Sequence, residues 1–435
     1  MKTFRVLTLG CKVNQYESEA LRQQFLAKGY RPAKEGETAS VSIVNTCSVT
    51  NTSDRKSRQL IRKCTKNSKI VAVCGCYAQA KPEEAAQIDG VDLVVGTGNK
   101  QKLFSMIDDL LAKKQREKIS IFPLTAASSF DTDPITSYQE KTRAIIKIQD
   151  GCNSFCSYCI IPYVRGRLRS RPPLEILQEV TALSQNGYRE IVLAGIHVCH
   201  YGLDFPKSFP IHTLVDLLKE IEKIPKIDRI RLSSIEPLAF TNAFFAYYKT
   251  TQKLCPHFHI SLQSGSDTVL KRMNRHYCAE SYKKTVKKLQ QINPLTTVTT
   301  DIITGFPGES SDEFEETLAL IKSIRFLKVH TFPYSRRSGT AADTMPNQLP
   351  FSLKEERAKK VIALSRAIEK EILAEFIGTP LTVLAEEAKN NGFYGLSQNY
   401  LPVILEDPCE KNALYHVIPY RSDGNFLYAK HPQKQ

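Results

Sequence analysis

Three cysteines lie close together in the middle of the chain: Cys152, Cys156 and Cys159, with the spacing CxxxCxxC. Soft thiolates are the ligands that iron–sulfur clusters prefer. Three of them can hold three irons of a cubane cluster and leave the fourth iron open to a small molecule. This spacing therefore predicts a catalytic cluster rather than an electron carrier. Zinc is the alternative, but a zinc site usually takes four ligands with paired CxxC spacing.

A second group of three cysteines is spread over the N-terminal part of the chain. Cys11, Cys47 and Cys76 each follow the carboxyl end of a predicted strand; the strands are Phe4–Leu9, Val41–Asn45 and Ile70–Cys74. Ligand sites of open parallel sheets form outside those ends, so the three sulfurs should converge. Cys74 is a rival ligand, because residues two apart on a strand share a face. The other cysteines have no ligand spacing and are interpreted as structural: Cys64, Cys199, Cys255, Cys278 and Cys409.

Hydrophobic periodicity predicts the strands and helices that position the two groups of cysteines. In residues 1–112, strands alternate with helices, which predicts a parallel α/β sheet domain. One helix is expected over Tyr16–Lys28, and another is expected to begin near an N-cap at Ser53–Asp54. Residues 113–139 lack periodicity and are predicted to be a linker.

Residues 140–375 contain six predicted strands separated by helical segments, which indicates a partial (β/α)6 barrel. The strands are Ala144–Gln149, Ile191–Ala194, Ile230–Ser233, Phe258–Leu262, Val298–Ile303 and Lys328–Phe332. Residues 376–435 are rich in β-formers and turns and predict a small all-β domain. The fold class is therefore α/β with three domains.

The amino-acid composition limits the classes of function that this chain can have. No run approaches the about 20 apolar residues that cross a bilayer, and the N-terminus has no apolar leader segment. We therefore expect a cytoplasmic protein without membrane contact, in which 12 cysteines indicate metal binding or catalysis rather than disulfides. A net charge of +15 and a pI of about 9.2 suggest a polyanionic partner such as nucleic acid.

Basic residues are concentrated in three segments. Four arginines alternate directly after the CxxxCxxC loop, where they could clamp RNA phosphates: Arg165, Arg167, Arg169 and Arg171. Two further groups have helical spacing and could equally be solvated faces: Arg55, Lys56, Arg58, Arg62, Lys63 and Lys66, and then Lys271, Arg272, Arg275, Lys283, Lys284, Lys287 and Lys288.

The loop with Cys152, Cys156 and Cys159 resembles the signature of the radical S-adenosylmethionine (SAM) superfamily, in which an aromatic residue precedes the last cysteine; here it is Tyr158. The resemblance implies that the open iron of a [4Fe–4S] cluster chelates the amino and carboxylate groups of SAM. Electron transfer then generates a 5′-deoxyadenosyl radical.

The residues around Cys11, Cys47 and Cys76 resemble the N-terminal domain of the methylthiotransferases, and the similarity covers nearly the whole chain. In that family these cysteines hold an auxiliary [4Fe–4S] cluster, so the resemblance implies two clusters. The Cys11 and Cys47 motifs are most similar to the subfamily that acts on N6-threonylcarbamoyladenosine at position 37 of tRNA. The implied reaction adds a methylthio group at C2, with one SAM as methyl donor and another as radical source. A sulfur donor and an electron donor protein would be further partners.

Barrel active sites lie at strand C-terminal ends, where glycines allow close approach of a ligand. Segments of this kind resemble the methylthiotransferase pattern, and within them Gly195, Gln263 and Gly305 are expected, with Tyr158, to contact SAM. A lone histidine, His197, is given no role. Gly395–Tyr400 resembles the end of the motif of TRAM domains, which bind tRNA in this family, although Leu396 and Ser397 replace its usual Arg-Thr. Remaining alternatives are a methylthiotransferase for isopentenyladenosine, a different radical SAM enzyme and a non-catalytic RNA-binding protein.

Overall fold

The computed structural model describes residues 2–98, 100–114, 117–124, 130, 134–138, 142–389 and 392–435. Within these residues, no helix combines the length and the apolar character needed to span a bilayer.

The N-terminal part is a parallel sheet of six strands in the order β2-β1-β3-β4-β5-β6. The strands are β1 (Thr3–Thr8), β2 (Arg31–Pro32), β3 (Ala39–Thr46), β4 (Ser68–Gly75), β5 (Leu93–Val95) and β6 (Ile119–Ser120). The helices are α1 (Lys12–Ala27), α2 (Asn51–Thr65), α3 (Cys76–Ala80), α4 (Pro82–Ala86) and α5 (Leu103–Leu111). The central strands β3 and β4 are almost entirely buried, as expected for a sheet covered on both faces.

Three details of this part differ from the sequence prediction. Helix α1 begins at Lys12, four residues before the predicted start, because its first turn has one apolar residue, Val13, among polar ones and carries no periodic signal. Helix α2 is capped by Thr50, whose side chain accepts the backbone N–H of Ser53, so the predicted N-cap lies inside the helix. Strand β6, from the segment predicted as a linker, pairs with β5.

The central part contains the six predicted parallel strands. They are β7 (Arg143–Lys147), β10 (Glu190–Ala194), β11 (Arg229–Leu232), β12 (His257–His259), β13 (Thr297–Thr304) and β14 (Lys328–Pro333), with a short antiparallel pair, β8 (Gln149–Asp150) and β9 (Arg169–Ser170). The helices are α6 (Ile161–Arg165), α7 (Pro173–Gln185), α8 (Leu214–Glu222), α9 (Asn242–Thr250), α10 (Asp267–Arg272), α11 (Ala279–Ile292), α12 (Ser311–Ile324) and α13 (Phe351–Glu375).

These strands form an open arc. They lie in two ladders, β11-β10-β7 and β12-β13-β14. Isolated parallel bridges, Ile230–Leu254 and Ile235–Ile260, connect the ladders between β11 and β12. The partial barrel predicted from the sequence is thereby confirmed.

The C-terminal part is all-β, as predicted. Its seven-stranded sheet contains β15 (Leu381–Lys389), β16 (Gly392–Ser397), β17 (Pro402–Leu405), β18 (Leu414–Val417), β19 (Arg421–Ser422), β20 (Leu427–Ala429) and β21 (Gln433–Lys434).

The segment Gly395–Tyr400 packs against one end of the barrel. Tyr400 stacks on His257 with ring centroids 4.3 Å apart, and the Asn399 side chain donates to the Leu295 carbonyl over 3.1 Å. Arg229 donates to the Leu396 carbonyl over 3.1 Å. The residues that resemble the TRAM motif therefore attach this domain to the barrel, and the TRAM assignment itself stays a prediction.

Candidate active site

The CxxxCxxC segment forms a loop between β8 and α6. The Cys159 N–H donates to the Cys156 carbonyl over 2.9 Å, and the Cys152 N–H donates to the Gly166 carbonyl over 3.1 Å. Burial, with smaller contributions from Cys156 and Cys152, raises the pKa of the Cys159 thiol to about 12. The three sulfurs thus lie within electrostatic reach of one another. Three thiols on one short loop suit a metal cluster, because metal coordination deprotonates cysteine thiols.

The N-terminal cysteines converge at the carboxyl edge of the first sheet. Cys11 is the N-cap residue of α1, Cys47 directly follows β3, and Cys76 is the first residue of α3. Burial raises the pKa of Cys76 to about 11; among the smaller contributions, Arg165 lowers it, and Cys47 and Cys11 raise it. Thiols change one another's pKa in this way only when they lie close together. The structure therefore places the three cysteines at the same edge of the sheet, and their role as cluster ligands stays a prediction.

A glycine before Cys76 allows the chain to turn at the sheet edge. Gly75 has φ +93°, and a Cβ there would lie 2.5 Å from both the Asn45 Oδ1 and the Thr46 carbonyl oxygen. Only glycine fits so close to β3. The strand-to-helix turn at Gly75 brings Cys76 to the sheet edge, whereas Cys74 packs in the apolar cluster beneath the sheet with Ala72 and Leu93. Cys74 is therefore a poorer ligand candidate than Cys76.

A cavity with a volume of about 230 Å³ lies beside the CxxxCxxC loop. Its walls come from both domains. The barrel contributes Tyr158, Cys159, Ile160, Ile161, Gln263, Asp301, Ile303, Phe332, Pro333, Tyr334 and Ser335, and the N-terminal domain contributes Val49 and Thr50. Cys159 is part of the wall, and Val49 follows Cys47 by two residues. A substrate in this cavity would touch Cys159 and the segment that follows Cys47.

The residues predicted to contact SAM are separated by the structure into two pairs. Tyr158 and Gln263 line the cavity, and Gln263 has the left-handed φ of +71°. Gly195 and Gly305 do not line it. A Cβ at Gly195 would lie 2.9 Å from the Gln149 Oε1, and one at Gly305 would lie 2.4 Å from the Lys354 Cγ. Both glycines thus have a packing reason, and their contact with SAM stays a prediction.

The four alternating arginines do not form one RNA-binding row. Arg167 is exposed and Arg169 half-buried, but Arg165 and Arg171 are almost completely inaccessible. Arg171 pairs with the buried Glu179, and Arg165 pairs with Glu17 and Asp150. The prediction that all four contact RNA is therefore wrong for Arg165 and Arg171, because both side chains are buried and bonded to carboxylates inside the protein.

Helix α2 presents the clearest basic surface near the cavity. It begins next to the wall residue Thr50 and exposes five cations: Arg55, Lys56, Arg62, Lys63 and Lys66. Arg58, on the same helix, is half-buried, 3.8 Å from Glu84. This face is suited to phosphate groups.

Three polar residues that the sequence did not select form a chain beside the first cysteine group. The Arg275 Nη1 lies 3.3 Å from the Cys156 Sγ and 2.7 Å from the Glu236 Oε1. His197 lies 2.8 Å from the same carboxylate. Burial acts to lower the pKa of His197, but Cys199 and Glu236 raise it to about 11. The residues are far apart in sequence, so the only available signal was the position of Glu236 and His197 after barrel strands.

Comparison with known proteins gives consistent results. Residues 3–96 match the family described as "Uncharacterized protein family UPF0004", and residues 146–321 match the "Radical SAM superfamily". The chain is 41% identical over 415 residues to the "Threonylcarbamoyladenosine tRNA methylthiotransferase MtaB" of Bacillus subtilis, covering 93% of this chain and 91% of the relative. It is 36% identical over 420 residues to the "tRNA-2-methylthio-N(6)-dimethylallyladenosine synthase" of Pelotomaculum thermopropionicum, covering 94% and 93%.

A solved structure shares the fold. The radical S-adenosylmethionine methyltransferase TsrM of Kitasatospora setae, with cobalamin and a [4Fe–4S] cluster bound, superposes with a TM-score of 0.58. The alignment covers 79% of this chain and 77% of TsrM, at 13% sequence identity.

Proposed function

Because the chain belongs to the tRNA methylthiotransferase family of radical SAM proteins, we propose that it adds a methylthio group to C2 of N6-threonylcarbamoyladenosine at position 37 of tRNA. Membership of that family implies SAM, one [4Fe–4S] cluster and a tRNA substrate. The choice of nucleoside is supported by the threonylcarbamoyladenosine relatives and by the motifs around Cys11 and Cys47. The observation that carries the proposal is the cavity that Cys159 lines together with Val49 and Thr50, which follow Cys47 in the N-terminal domain.

In this proposal, each cysteine group holds one [4Fe–4S] cluster. Cys152, Cys156 and Cys159 hold the cluster that binds SAM, and Cys11, Cys47 and Cys76 hold a second cluster at the sheet edge. When bound, the first cluster would supply the electron for reductive cleavage of SAM, and a second SAM would supply the methyl group. A sulfur donor and an electron donor protein complete the reaction.

The chain's own residues hold the base and exclude water. The target adenosine must leave its stack to reach a buried site. Ile303 and Phe332 give the cavity apolar walls that suit a purine beside the predicted SAM contacts Tyr158 and Gln263, and Thr50 can hydrogen-bond the edge of the base. The basic face of α2, beside Thr50, would hold the phosphates of the anticodon stem-loop. Arg167 is a further candidate for a phosphate contact because it is exposed next to the cluster loop.

The isopentenyladenosine reaction is the second candidate. The aliphatic wall residues Ile160, Ile161 and Ile303 would also accommodate an isopentenyl chain, and relatives with that function are 36% identical to this chain.

Nucleoside analysis of tRNA decides between the candidates. A strain that lacks this gene should lose 2-methylthio-N6-threonylcarbamoyladenosine and accumulate the unthiolated nucleoside, and expression of the wild-type chain should restore it. The Cys159→Ala variant should fail to restore it. Loss of the isopentenyl derivative instead would assign the second candidate, and an unchanged tRNA profile would reject both.

A further inference from the structure

Arg165 is a buried cation that connects the two cysteine groups. It is the last residue of α6, the helix that directly follows the CxxxCxxC loop, and it is completely buried. Its Nη1 donates to the Glu17 Oε1 over 2.9 Å and to the Asp150 Oδ1 over 3.1 Å, and its Nη2 donates to the Asn14 Oδ1 over 2.8 Å. Glu17 and Asn14 belong to the N-terminal domain. A barrel residue thus reaches into the other domain.

Asn14 leads from Arg165 to the sheet edge that carries the N-terminal cysteines. Its Nδ2 donates to the Leu9 carbonyl over 2.8 Å and to the Thr46 carbonyl over 3.0 Å, which are the residues before Gly10-Cys11 and before Cys47. Its Oδ1 lies 3.6 Å from the Cys11 Sγ. One amide therefore contacts both strand ends, one cysteine and the Arg165 guanidinium.

The charges around Arg165 do not balance. Lys100 pairs with Glu17, and Lys147 lies 3.0 Å from Glu17 and 2.7 Å from Asp150. All of these groups are buried. Among the described residues, three buried cations thus share two carboxylates. An uncompensated buried charge is costly, so an anion is expected nearby. A [4Fe–4S]²⁺ cluster on three thiolates is such an anion.

One donor of Arg165 also lacks a partner. The Nε atom is buried and makes no hydrogen bond to any residue that the structure describes. Buried N–H groups are nearly always paired, so an unpaired one indicates a missing acceptor. Burial acts to lower the pKa of Arg165, but Cys76, Glu17, Asp150 and Cys11 raise it well above its ordinary value. The Asn14 amide joins the Arg165 guanidinium to the Cys11 sulfur, so the cysteine site is a candidate source of the missing acceptor.

We propose that Arg165 is a positioning residue for the second cluster, whose sulfur accepts the Nε–H and whose negative charge balances the buried cations. This inference rests on the proposed assignment of Cys11, Cys47 and Cys76. Because Arg165 comes from the barrel domain, the second cluster site is complete only when the two domains are docked.

The reduction potential of the second cluster tests this proposal without measuring activity. A cation and an N–H donor both favour the reduced cluster. Arg165→Gln should therefore lower the potential by at least about 59 mV, which is a tenfold change in the redox equilibrium of a one-electron couple. Glu17→Gln removes a carboxylate from the same group and should raise the potential. Arg165→Lys keeps the charge without the Nε donor and should lie between the wild type and Arg165→Gln.

The measurement uses the full-length chain with Cys152, Cys156 and Cys159 replaced by alanine, so that only the second cluster is present. The protein is reconstituted anaerobically, its iron and sulfide are quantified, and the potential is titrated by electron paramagnetic resonance. Arg171→Gln is the matched control, because it removes an equally buried arginine whose partners are Glu179 and Tyr16 and not Glu17, Asp150 or Asn14. Melting temperatures of the variants show whether they are folded.

The outcomes are distinct. A lowered potential, or loss of iron, in Arg165→Gln but not in Arg171→Gln supports the proposal. Equal potentials or equal iron losses in both variants overturn it, as does a Glu17→Gln potential that shifts downward. If the parent protein with the three alanines binds no iron, the second cluster itself is refuted, and the proposed function falls with the inference.

Discussion

The Nη2 of Arg337 lies 2.9 Å from the Oδ1 of Asp54, across the boundary between the domains that form the cavity. Arg337 also donates to the Asn51 Oδ1 over 2.8 Å and to the Ser48 side chain over 2.6 Å. Both partners of the ion pair are buried. This pair fixes the segment that contains the wall residues Val49 and Thr50 against the barrel.

Replacing Arg337 with alanine should therefore separate the cavity walls. Removing one partner of a buried ion pair typically costs about 3–5 kcal/mol of stability. A misplacement of about 1 Å near a reacting group can lower the rate by about 100-fold. We expect methylthiolation to fall at least tenfold while the bound iron is unchanged. Arg336→Ala is the control, because Arg336 is exposed and pairs with Asp343; equal effects of the two variants on unfolding by urea would contradict this role.

The two cysteine groups should bind iron independently. Replacing Cys152, Cys156 and Cys159 by alanine, or Cys11, Cys47 and Cys76 by alanine, should leave about half of the iron that the wild-type chain binds under anaerobic conditions. Only the first set should abolish reductive cleavage of SAM. Cys74→Ala should retain all the iron, since Cys74 packs in the apolar cluster. Full iron retention in either triple variant would show that its cysteines are not ligands.

Glu190 should determine part of the acid stability. It is buried between Arg229 and Arg231, with the Arg231 Nε 2.8 Å from its Oε1. Burial acts to raise the pKa of Glu190, but Arg231, Arg229 and Arg143 lower it to about 2. A lowered carboxyl pKa contributes stability that is present above the unfolded-state pKa of about 4.3 and is lost as the pH falls toward the folded-state value.

Glu190→Gln should therefore destabilise the chain by about 3–5 kcal/mol at pH 7, because it leaves two buried guanidinium groups without their carboxylate. Between pH 4.3 and 2, the variant should also lose less stability than the wild-type chain. Urea unfolding at a series of pH values measures both effects. The control is Glu220→Gln, whose partially exposed pair with Lys223 contributes at most about 1 kcal/mol. If the stability of the variant depends on pH in the same way as that of the wild type, the lowered pKa of Glu190 is contradicted.

The exposed face of α2 should contribute to tRNA affinity. A variant with Arg55, Lys56, Arg62 and Lys63 changed to glutamine should bind tRNA more weakly, and its log affinity should depend less steeply on log salt by about one unit per lost phosphate contact. The matched control changes four exposed lysines of α11 on the outside of the barrel: Lys283, Lys284, Lys287 and Lys288. If both variants lose affinity equally in a filter-binding titration, the effect is one of net charge and not of this face.

The wrong RNA assignments of Arg165 and Arg171 show why the sequence alone could not identify which cations are exposed. Alternation of Arg165, Arg167, Arg169 and Arg171 gives no information about which side chains meet carboxylates from elsewhere in the chain. The partners of Arg165 are Glu17, which is 148 residues away, and Asp150. The sequence likewise could not show that Gly395–Tyr400 packs on the barrel. Its motif suggested only a contact with RNA.

The sequence by itself determined the order of strands and helices, the loop with Cys152, Cys156 and Cys159, and the position of Cys11, Cys47 and Cys76 at strand ends. These features depend on local periodicity and on short spacings, which are written directly in the chain. Only the tertiary structure decided which charges are buried, that Arg165 joins the two cysteine groups, and that Arg337 closes the cavity. Such pairings depend on long-range packing, because a buried charge is stable only where the fold brings an opposite charge to it.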